Sequence, residues 1–104
     1  MNRYGLHGKL KAKESKGDEL AAILLEASQL VAPAKGCHLY IVSKDQNDAD
    51  AVWVTEVWDS KEDHDNSLTV KGVRELIGQA MPLLDGPPEK GQELTILGGA
   101  GLSI

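Results

Sequence analysis

Apolar and polar residues alternate along several stretches of the chain, as they do in β-strands that bury one face. Between Tyr4 and Lys13, Leu6 and Leu10 share one side, and the lysines fall on the other. The stretch from Gly36 to Trp58 holds two apolar runs, separated by the turn-forming residues D-Q-N-D-A-D at 45–50. It predicts two antiparallel strands joined by a polar loop, and E-L-T-I-L at 93–97 predicts a fourth strand.

Apolar residues at helical spacing predict a helix between the first and second strands. Asp18 and Glu19 suit its positive N-terminal end, and Pro33 and Gly36 end it. Its apolar stripe consists of Leu20, Ile23, Leu24, Ala27, Leu30 and Val31.

The chain after Trp58 also has helical spacing. Ser60 is the expected N-cap of a segment that contains His64. A second helical segment is predicted from Val70 to Met81, where Pro82 stops it. The stripe of this segment is Val70, Val73, Ile77 and Met81, with Leu76 and Ala80 alongside.

The order of elements is therefore strand, helix, strand, strand, helix, strand. This order predicts an α+β protein with the ferredoxin-like βαββαβ fold, with both helices on one face of a four-stranded antiparallel sheet. The central strands are apolar on both sides: Val52 and Val54 lie on one side of the third strand, and Trp53 and Val57 lie on the other. Because an apolar sheet face needs cover, we expect a homodimer whose two sheets pair face to face as a dimeric α/β barrel.

Size and charge limit the expected partners and compartment. The chain has 104 residues, with 16 acidic against 11 basic ones, and it lacks a basic stripe. Nucleic acid and anionic membranes are therefore not expected partners. No apolar run approaches the length of a membrane span, and the N-terminus lacks the apolar core of a signal peptide, so we expect a cytoplasmic protein.

The domain is expected to cover residues 1–97, followed by a Gly-rich tail at 98–104. Leu102 and Ile104 in this tail either stay free or dock on a partner subunit. The run G-G-A-G follows a strand but precedes no helix, so it is a weak signal for a phosphate site. Cys37 is the only cysteine, which excludes an internal disulfide, and its place inside a strand favours a buried hydrophobe over a nucleophile.

The central hairpin and the residues after it carry a motif. The second strand begins G-C-H-L-Y, the third ends T-E-V-W-D-S, and His64 follows on the next helix. The pattern resembles that of the antibiotic biosynthesis monooxygenase family, in which a Gly-Cys-x-x-Tyr strand precedes a Glu-x-Trp-x-Ser strand end and a helix bearing His. The resemblance extends up to about Leu84.

This resemblance implies a dimeric α+β barrel in which each subunit holds a pocket between its sheet and its helices. It also implies a cofactor-independent monooxygenase that oxidises a small phenolic, quinol or polyketide-like aromatic substrate with molecular oxygen. The heme-degrading branch of the family uses a His further along the second helical region, and no His follows His64. Heme is therefore not expected, and the resemblance implies that no other cofactor is bound. Polyketide-oxidising members carry Asn where this chain has Val54 and an aromatic hydroxyl where it has His64.

Oxygenation without a cofactor needs a base, because the substrate must become an electron-rich anion before it can give an electron to triplet oxygen. His64 is the expected base, since imidazole titrates near neutrality; the alternative is a solvated His among acidic neighbours, including Asp65. Glu56 is the second predicted catalytic residue. A carboxylate inside an apolar strand must be paired, hydrogen-bonded or raised in pKa, so Glu56 either binds a group across the dimer or serves the pocket.

The remaining candidates are predicted to bind substrate. Trp58 and Tyr40 either stack on an aromatic ring or pack in the core. His7 and His38 lie on strands and either line a polar cavity with the carboxylate or have structural roles. Asn66 either hydrogen-bonds a ligand or caps a helix. No two histidines have a metal-binding spacing, so no metal site is expected.

A second function stays open on the sequence alone. In this alternative the protein is a non-catalytic dimeric module that binds a small aromatic or lipophilic ligand in the barrel cavity. The two hypotheses differ in geometry. Convergence of His64, His38 and Glu56 within hydrogen-bond reach of one enclosed void favours the monooxygenase, in which His64 and also His38 are candidate proton acceptors. Side chains that point apart into water favour the binding module.

Overall fold

The computed structural model describes residues 2–102 as one β-sheet with helices packed against it. The strands are β1 (Arg3–Lys11), β2 (Cys37–Asp45), β3 (Asp48–Trp58) and β4 (Gln92–Ile96). The helices are α1 (Gly17–Val31), α2 (Lys61–Ser67) and α3 (Val73–Ala80), and a short 3₁₀ turn, Met81–Leu83, follows α3 directly. No helix in the described range is long and apolar enough to cross a membrane.

Neighbouring strands of the sheet run antiparallel in the order β2-β3-β1-β4. This is the ferredoxin-like arrangement, which confirms the predicted fold class. β3 pairs with β1 through Trp58 and Tyr4, and with β2 through Glu56 and Tyr40. Since paired residues of antiparallel strands point to the same side, these four side chains share one face of the sheet.

The turn between β2 and β3 is tighter than the predicted loop at 45–50. Only Gln46 and Asn47 lie between the two strands. The carboxylate of Asp45 accepts hydrogen bonds from the backbone N–H of Asn47 at 2.8 Å and from the indole of Trp53 at 3.2 Å. Most of these polar residues therefore belong to the paired strands, and the side chain of Asp45 stabilises the short turn between them.

Helix α1 is capped from the sheet rather than by its own sequence. Asp50 on β3 accepts hydrogen bonds from the backbone N–H groups of Ser15 at 3.1 Å and Gly17 at 3.0 Å. Most of the predicted stripe of this helix is confirmed: Ile23 and Leu30 are half-buried, and the fully buried members are Leu20, Leu24, Ala27 and Val31.

Local interactions and backbone conformation mark the starts of the two short helices after β3. The hydroxyl of Ser60 accepts a hydrogen bond from the backbone N–H of Asp63 at 3.1 Å, which confirms the predicted N-cap of α2. The helix predicted over 70–81 begins only at Val73. Gly72 adopts a left-handed φ of 93° and so separates α2 from α3.

The buried side of α3 differs from the predicted stripe. Its buried residues are Val73, Leu76 and Ala80, whereas Ile77 and Met81 are 43% and 48% exposed. The prediction that Ile77 and Met81 face the core is therefore wrong. Apolar residues at four-residue spacing form two neighbouring rows on this helix, Val73 with Ile77 and Leu76 with Ala80. The spacing alone does not say which of these side chains face the sheet.

The side chains of β3 divide the sheet into a covered face and an open face. On the covered face, Val52 and Trp58 are fully buried, in clusters that contain residues of α1 and α3. On the opposite face, Ile41 of β2 and Leu94 of β4 are 47% and 46% exposed. The open face therefore keeps apolar side chains in contact with solvent within residues 2–102.

The C-terminal tail is described as far as Leu102, which is half-buried. Ile104, the other tail residue expected to dock on a partner, lies outside the described residues.

We expect Gly36→Ala to destabilise the protein. Gly36 has a left-handed φ of 82°, and a Cβ there would lie 2.3 Å from a carboxylate oxygen of Asp63. The substitution should lower the free energy of unfolding by about 1–3 kcal/mol, measured by urea denaturation.

Gly78→Ala is the matched control, because no atom lies within 4 Å of its added Cβ. In helix α3 this change should raise the free energy of unfolding by about 0.5–1 kcal/mol. Two changes of the same sign would contradict the assignment.

Candidate active site

A cavity of about 270 Å³ lies between the covered face of the sheet and the three helices. The polar side chains at its wall are Tyr40, Glu56, His64 and Ser67. Its apolar wall is formed largely by α1 and α3, through Leu24, Ala27, Val31, Val73, Leu76 and Ala80. The cavity therefore combines an apolar interior with a small group of side chains that can bind and move a proton.

Glu56 reaches the cavity from the middle of β3 and is only 8% exposed. The indole N–H of Trp58, two residues along the same face, donates a hydrogen bond to its Oε1 at 2.9 Å. Burial raises the pKa of Glu56, and the Trp58 hydrogen bond and the nearby His64 oppose that rise. A carboxylate in this position is a stronger base than one in water.

His64 approaches Glu56 from α2, with its side chain 14% exposed. Its Nε2 lies 3.8 Å from Oε1 of Glu56, and its Nδ1 lies 2.9 Å from a carboxylate oxygen of Asp65. An ionised carboxylate only accepts hydrogen bonds, so the Asp65 contact favours the tautomer with its proton on Nδ1. The lone pair of Nε2 then faces Glu56.

The gap between Nε2 of His64 and Oε1 of Glu56 leaves room for a ligand group. At 3.8 Å the two atoms are too far apart for a hydrogen bond with each other. A ligand hydroxyl that donates a hydrogen bond to Nε2 from inside the cavity can pass its proton to that nitrogen. The imidazolium that forms would face the Glu56 carboxylate, which stabilises the charge.

A polar cluster of Tyr4, Lys61 and Glu93 supports His64 from its other side. The Tyr4 hydroxyl donates to Glu93 at 2.9 Å, and Nζ of Lys61 lies 3.2 Å from the same carboxylate. The centroids of the Tyr4 and His64 rings are 5.7 Å apart. Burial and the hydrogen bond to Glu93 raise the pKa of Tyr4 to about 12, so this hydroxyl stays protonated and links β1 to β4.

Tyr40 stands beside Glu56, its cross-strand partner, where two cavities meet. Burial, followed by the charge of Glu56, raises the pKa of Tyr40. Its hydroxyl therefore remains a hydrogen-bond donor for a ligand oxygen. The second cavity has a volume of about 170 Å³ and is bounded by Glu89 and Gly91 of the segment before β4.

Three of the sequence-predicted site residues meet at the main cavity: His64, Glu56 and Tyr40. Trp58 is fully buried, and its role in the structure is to hold the Glu56 carboxylate from within the core. Asn66 is exposed and does not line the cavity.

His38 lies at the start of β2, outside the main cavity. Its Nε2 is 2.6 Å from the carboxylate of Asp59 and 3.0 Å from Nε of Arg3. The expected convergence of His38 with Glu56 is not observed. An irregularity in the β2–β3 pairing at this residue takes it out of the alternation of its strand, as a β-bulge does.

His7 lies on the open face of the sheet, opposite to the cavity. Its ring stacks on Trp53 with centroids 4.9 Å apart, and its Nδ1 is 2.9 Å from the hydroxyl of Thr55. It therefore belongs to the open face of the sheet and not to the cavity.

Sequence reasoning did not assign Asp65 or Leu68 to the site. Leu68 follows His64 by four residues, so helical spacing places both on one face, and that signal was available. The contact of Asp65 with the imidazole depends on side-chain rotamers, which sequence spacing does not specify.

Within residues 2–102, no three His, Cys, Asp or Glu side chains form a group that could hold a metal ion. Cys37 packs against the cluster that contains Trp58, and burial raises the pKa of its thiol. The thiol is therefore mainly protonated at neutral pH, and a protonated thiol is a poor nucleophile.

Comparison with known proteins places this geometry in a family context. The family model described as antibiotic biosynthesis monooxygenase matches residues 3–77. A crystal structure from Chloroflexus aurantiacus J-10-fl, provisionally named an antibiotic biosynthesis monooxygenase, is 39% identical, covers 97% of this chain and 99% of its own, and has a TM-score of 0.86. No match is found among curated proteins.

Two further solved structures carry the same provisional name and share the fold at low identity. The protein from Caulobacter crescentus CB15 is 18% identical, with 93% of this chain and 92% of that chain covered and a TM-score of 0.82. The protein from Nitrosomonas europaea is 10% identical, with 91% and 90% covered and a TM-score of 0.85.

We expect Glu56→Gln to stabilise the protein, and to do so more strongly as pH rises. Because the pKa of Glu56 is raised in the folded state, the native protein loses stability as pH increases through that pKa. Glutamine does not ionise and can still accept the Trp58 hydrogen bond. The gain in melting temperature should be small near about pH 4 and larger near about pH 8, measured by thermal unfolding. The control is Glu26→Gln on the exposed side of α1, which should show no such growth. A gain for Glu56→Gln that shrinks with rising pH would contradict the raised pKa.

Proposed function

Because the chain belongs to the antibiotic biosynthesis monooxygenase family, we propose that it is a cofactor-independent monooxygenase for a small phenolic or quinol-like aromatic substrate. The family match supports a monooxygenase-like role in general. The proposal about substrate and oxygen rests on one observation, which is that His64 and Glu56 meet 3.8 Å apart at the wall of an apolar cavity.

The first step is removal of a proton from the substrate. The substrate hydroxyl lies against Nε2 of His64, which accepts the proton as general base. Asp65 at 2.9 Å keeps the other ring nitrogen protonated, and Glu56 stabilises the imidazolium. The attraction between His64 and Glu56 is stronger than in water because both side chains are largely buried at an apolar wall.

The second step is the reaction of the aromatic anion with oxygen. The anion transfers one electron to triplet oxygen, and the resulting radical and superoxide combine into a peroxide at a ring carbon. The imidazolium of His64 returns its proton to that peroxide. Loss of the proton on the ring carbon then breaks the O–O bond, so that one oxygen stays as a carbonyl and the other leaves as water. The substrate loses two hydrogens and gains one oxygen.

Tyr40 is proposed to stabilise the negative charge that develops on oxygen during both steps. Its protonated hydroxyl is a hydrogen-bond donor at the cavity wall beside Glu56. A fixed donor in a site that excludes water stabilises developing charge more than a solvent molecule does.

The apolar character of the cavity also supports the second candidate function, a non-catalytic module that binds an aromatic or lipophilic ligand. This function needs the walls formed by α1 and α3 but not the proton-transfer geometry of His64. The two functions therefore predict different results for a substitution of His64 that leaves the walls intact.

We also propose that the protein is a homodimer formed through the open face of its sheet. This face carries Ile41 and Leu94, which are 47% and 46% exposed, together with the stacked rings of His7 and Trp53. Pairing two copies would cover these side chains in both subunits by one isologous contact.

We expect the metal-stripped protein to consume oxygen with members of a panel of one-ring hydroquinones and two-ring naphthohydroquinones. His64→Ala should lower kcat by about 10²-fold or more, as expected for loss of a general base. An oxygen electrode measures the uptake with a chelator present.

The matched control for this experiment is His38→Ala, which removes an imidazole that contacts Arg3 and Asp59 outside the main cavity. It should retain the native rate. Equal losses in both variants would contradict the assignment of the base. Saturable binding of the panel without any oxygen uptake would favour the binding module instead.

Association through the open face is tested by Ile41→Lys. Each subunit would then bury an unpaired ammonium in the apolar contact, which should raise the dimer dissociation constant by about tenfold or more, measured by sedimentation equilibrium. The control is Leu25→Lys, which adds the same charge at a 52% exposed leucine of α1 and should leave the constant unchanged. A native chain that sediments as a monomer at all concentrations would overturn the proposal.

A further inference from the structure

Three large apolar side chains line the main cavity and yet stay almost half exposed. Leu68 at the end of α2 is 44% exposed, and Ile77 and Met81 of the α3 region are 43% and 48% exposed. Ile77 and Met81 are four residues apart in continuous helical backbone, so they are neighbours on one surface. Side chains that touch both the cavity and solvent mark its opening, and we call these three residues the apolar rim.

The apolar rim differs from scattered surface leucines. A single exposed leucine is ordinary, but three large apolar side chains around the opening of one cavity form a surface that favours apolar molecules. No Lys or Arg lies among the described residues that line this cavity. Its wall includes one carboxylate, that of the buried Glu56.

Two effects therefore oppose the binding of an anionic ligand at this site. Its charge would lose water at an apolar rim without gaining a positive partner, and it would approach a carboxylate of the same sign. A neutral hydroxyaromatic ligand carries no charge to desolvate and is not repelled by Glu56 until its proton has passed to His64. The volume of about 270 Å³ also falls slightly below the ~300–1,000 Å³ of common ligand pockets, which suits one or two rings.

We infer that the apolar rim of Leu68, Ile77 and Met81 admits uncharged, lipophilic hydroxyaromatic molecules of one or two rings and rejects those with a carboxylate, sulfate or phosphate group. The inference deepens the proposed function and rests on it for the identity of the reacting hydroxyl. It assigns selection to side chains of the α3 region and the end of α2.

The test compares two 1,4-naphthohydroquinones that differ only at position 6, far from the reacting hydroxyls, where one carries a methyl group and the other a carboxylate. We expect kcat/KM to favour the methyl compound by about 10²-fold. Ile77→Lys should reduce that preference by about tenfold, chiefly by improving the carboxylate compound, because the ammonium supplies the missing partner.

Two further variants make this result interpretable. Leu25→Lys places the same charge on a 52% exposed leucine of α1 that does not line the cavity, and it should leave the preference unchanged. Met81→Lys repeats the change at a second rim position, so that the test stands if Ile77→Lys does not fold. An equal shift in the Leu25 variant would overturn the inference, because it would show an effect of net charge.

Binding measured without turnover separates this inference from the proposed function. Calorimetry under oxygen-free conditions gives dissociation constants for the same two compounds with native protein and rim variants. Tight binding of the methyl compound and weak binding of the carboxylate compound support the inference even if neither is oxidised. Equal affinities and equal kcat/KM values for the two compounds overturn the inference even if both are oxidised.

Discussion

The burial of one carboxylate, that of Glu56, governs the arrangement of the rest of the site. The strand that carries it is apolar on both sides, so the charge is tolerated only where the Trp58 indole donates to it and His64 stands nearby. Trp58 itself is completely buried in a cluster with Val31 of α1 and Val73 of α3. The helix packing that buries Trp58 therefore also keeps the Glu56 carboxylate out of water. A change that loosened this packing would expose the carboxylate to solvent.

Local patterns were sufficient for the parts of the molecule that local forces determine. Alternation along the strands indicated the ferredoxin-like order, and a serine before an acidic turn indicated the N-cap that Ser60 provides. Glu56 and Tyr40 could also be selected, because strand register places a charged residue and its cross-strand neighbour on the same apolar face. His64 followed from the family resemblance together with the chemistry of imidazole.

The features that sequence did not predict depend on longer-range geometry. His38 leaves the alternation of its strand at an irregular pairing with β3, and such a break is a property of two strands rather than one. The face of α3 was misassigned because Ile77 and Met81 are as apolar as the buried Val73 and Ala80. Which side of α3 is buried depends on tertiary packing, because Val73 packs in the cluster of Val31 and Trp58 and Ala80 packs in the cluster that contains Leu20 and Leu24.

The left-handed backbone of Gly72 has a consequence for how the protein can change over evolutionary time. Gly72 lies between α2, which ends at Ser67, and α3, which begins at Val73. The proposed base His64 and the residues Ile77 and Met81 therefore lie on opposite sides of a break in the helical backbone. Mutations can accumulate on the outer surface of α3 without displacing the imidazole from the carboxylate. Under the proposed mechanism, a lineage with this arrangement can acquire new substrates while the proposed pair of His64 and Glu56 is kept, and the two parts of the segment on either side of Gly72 should diverge at different rates.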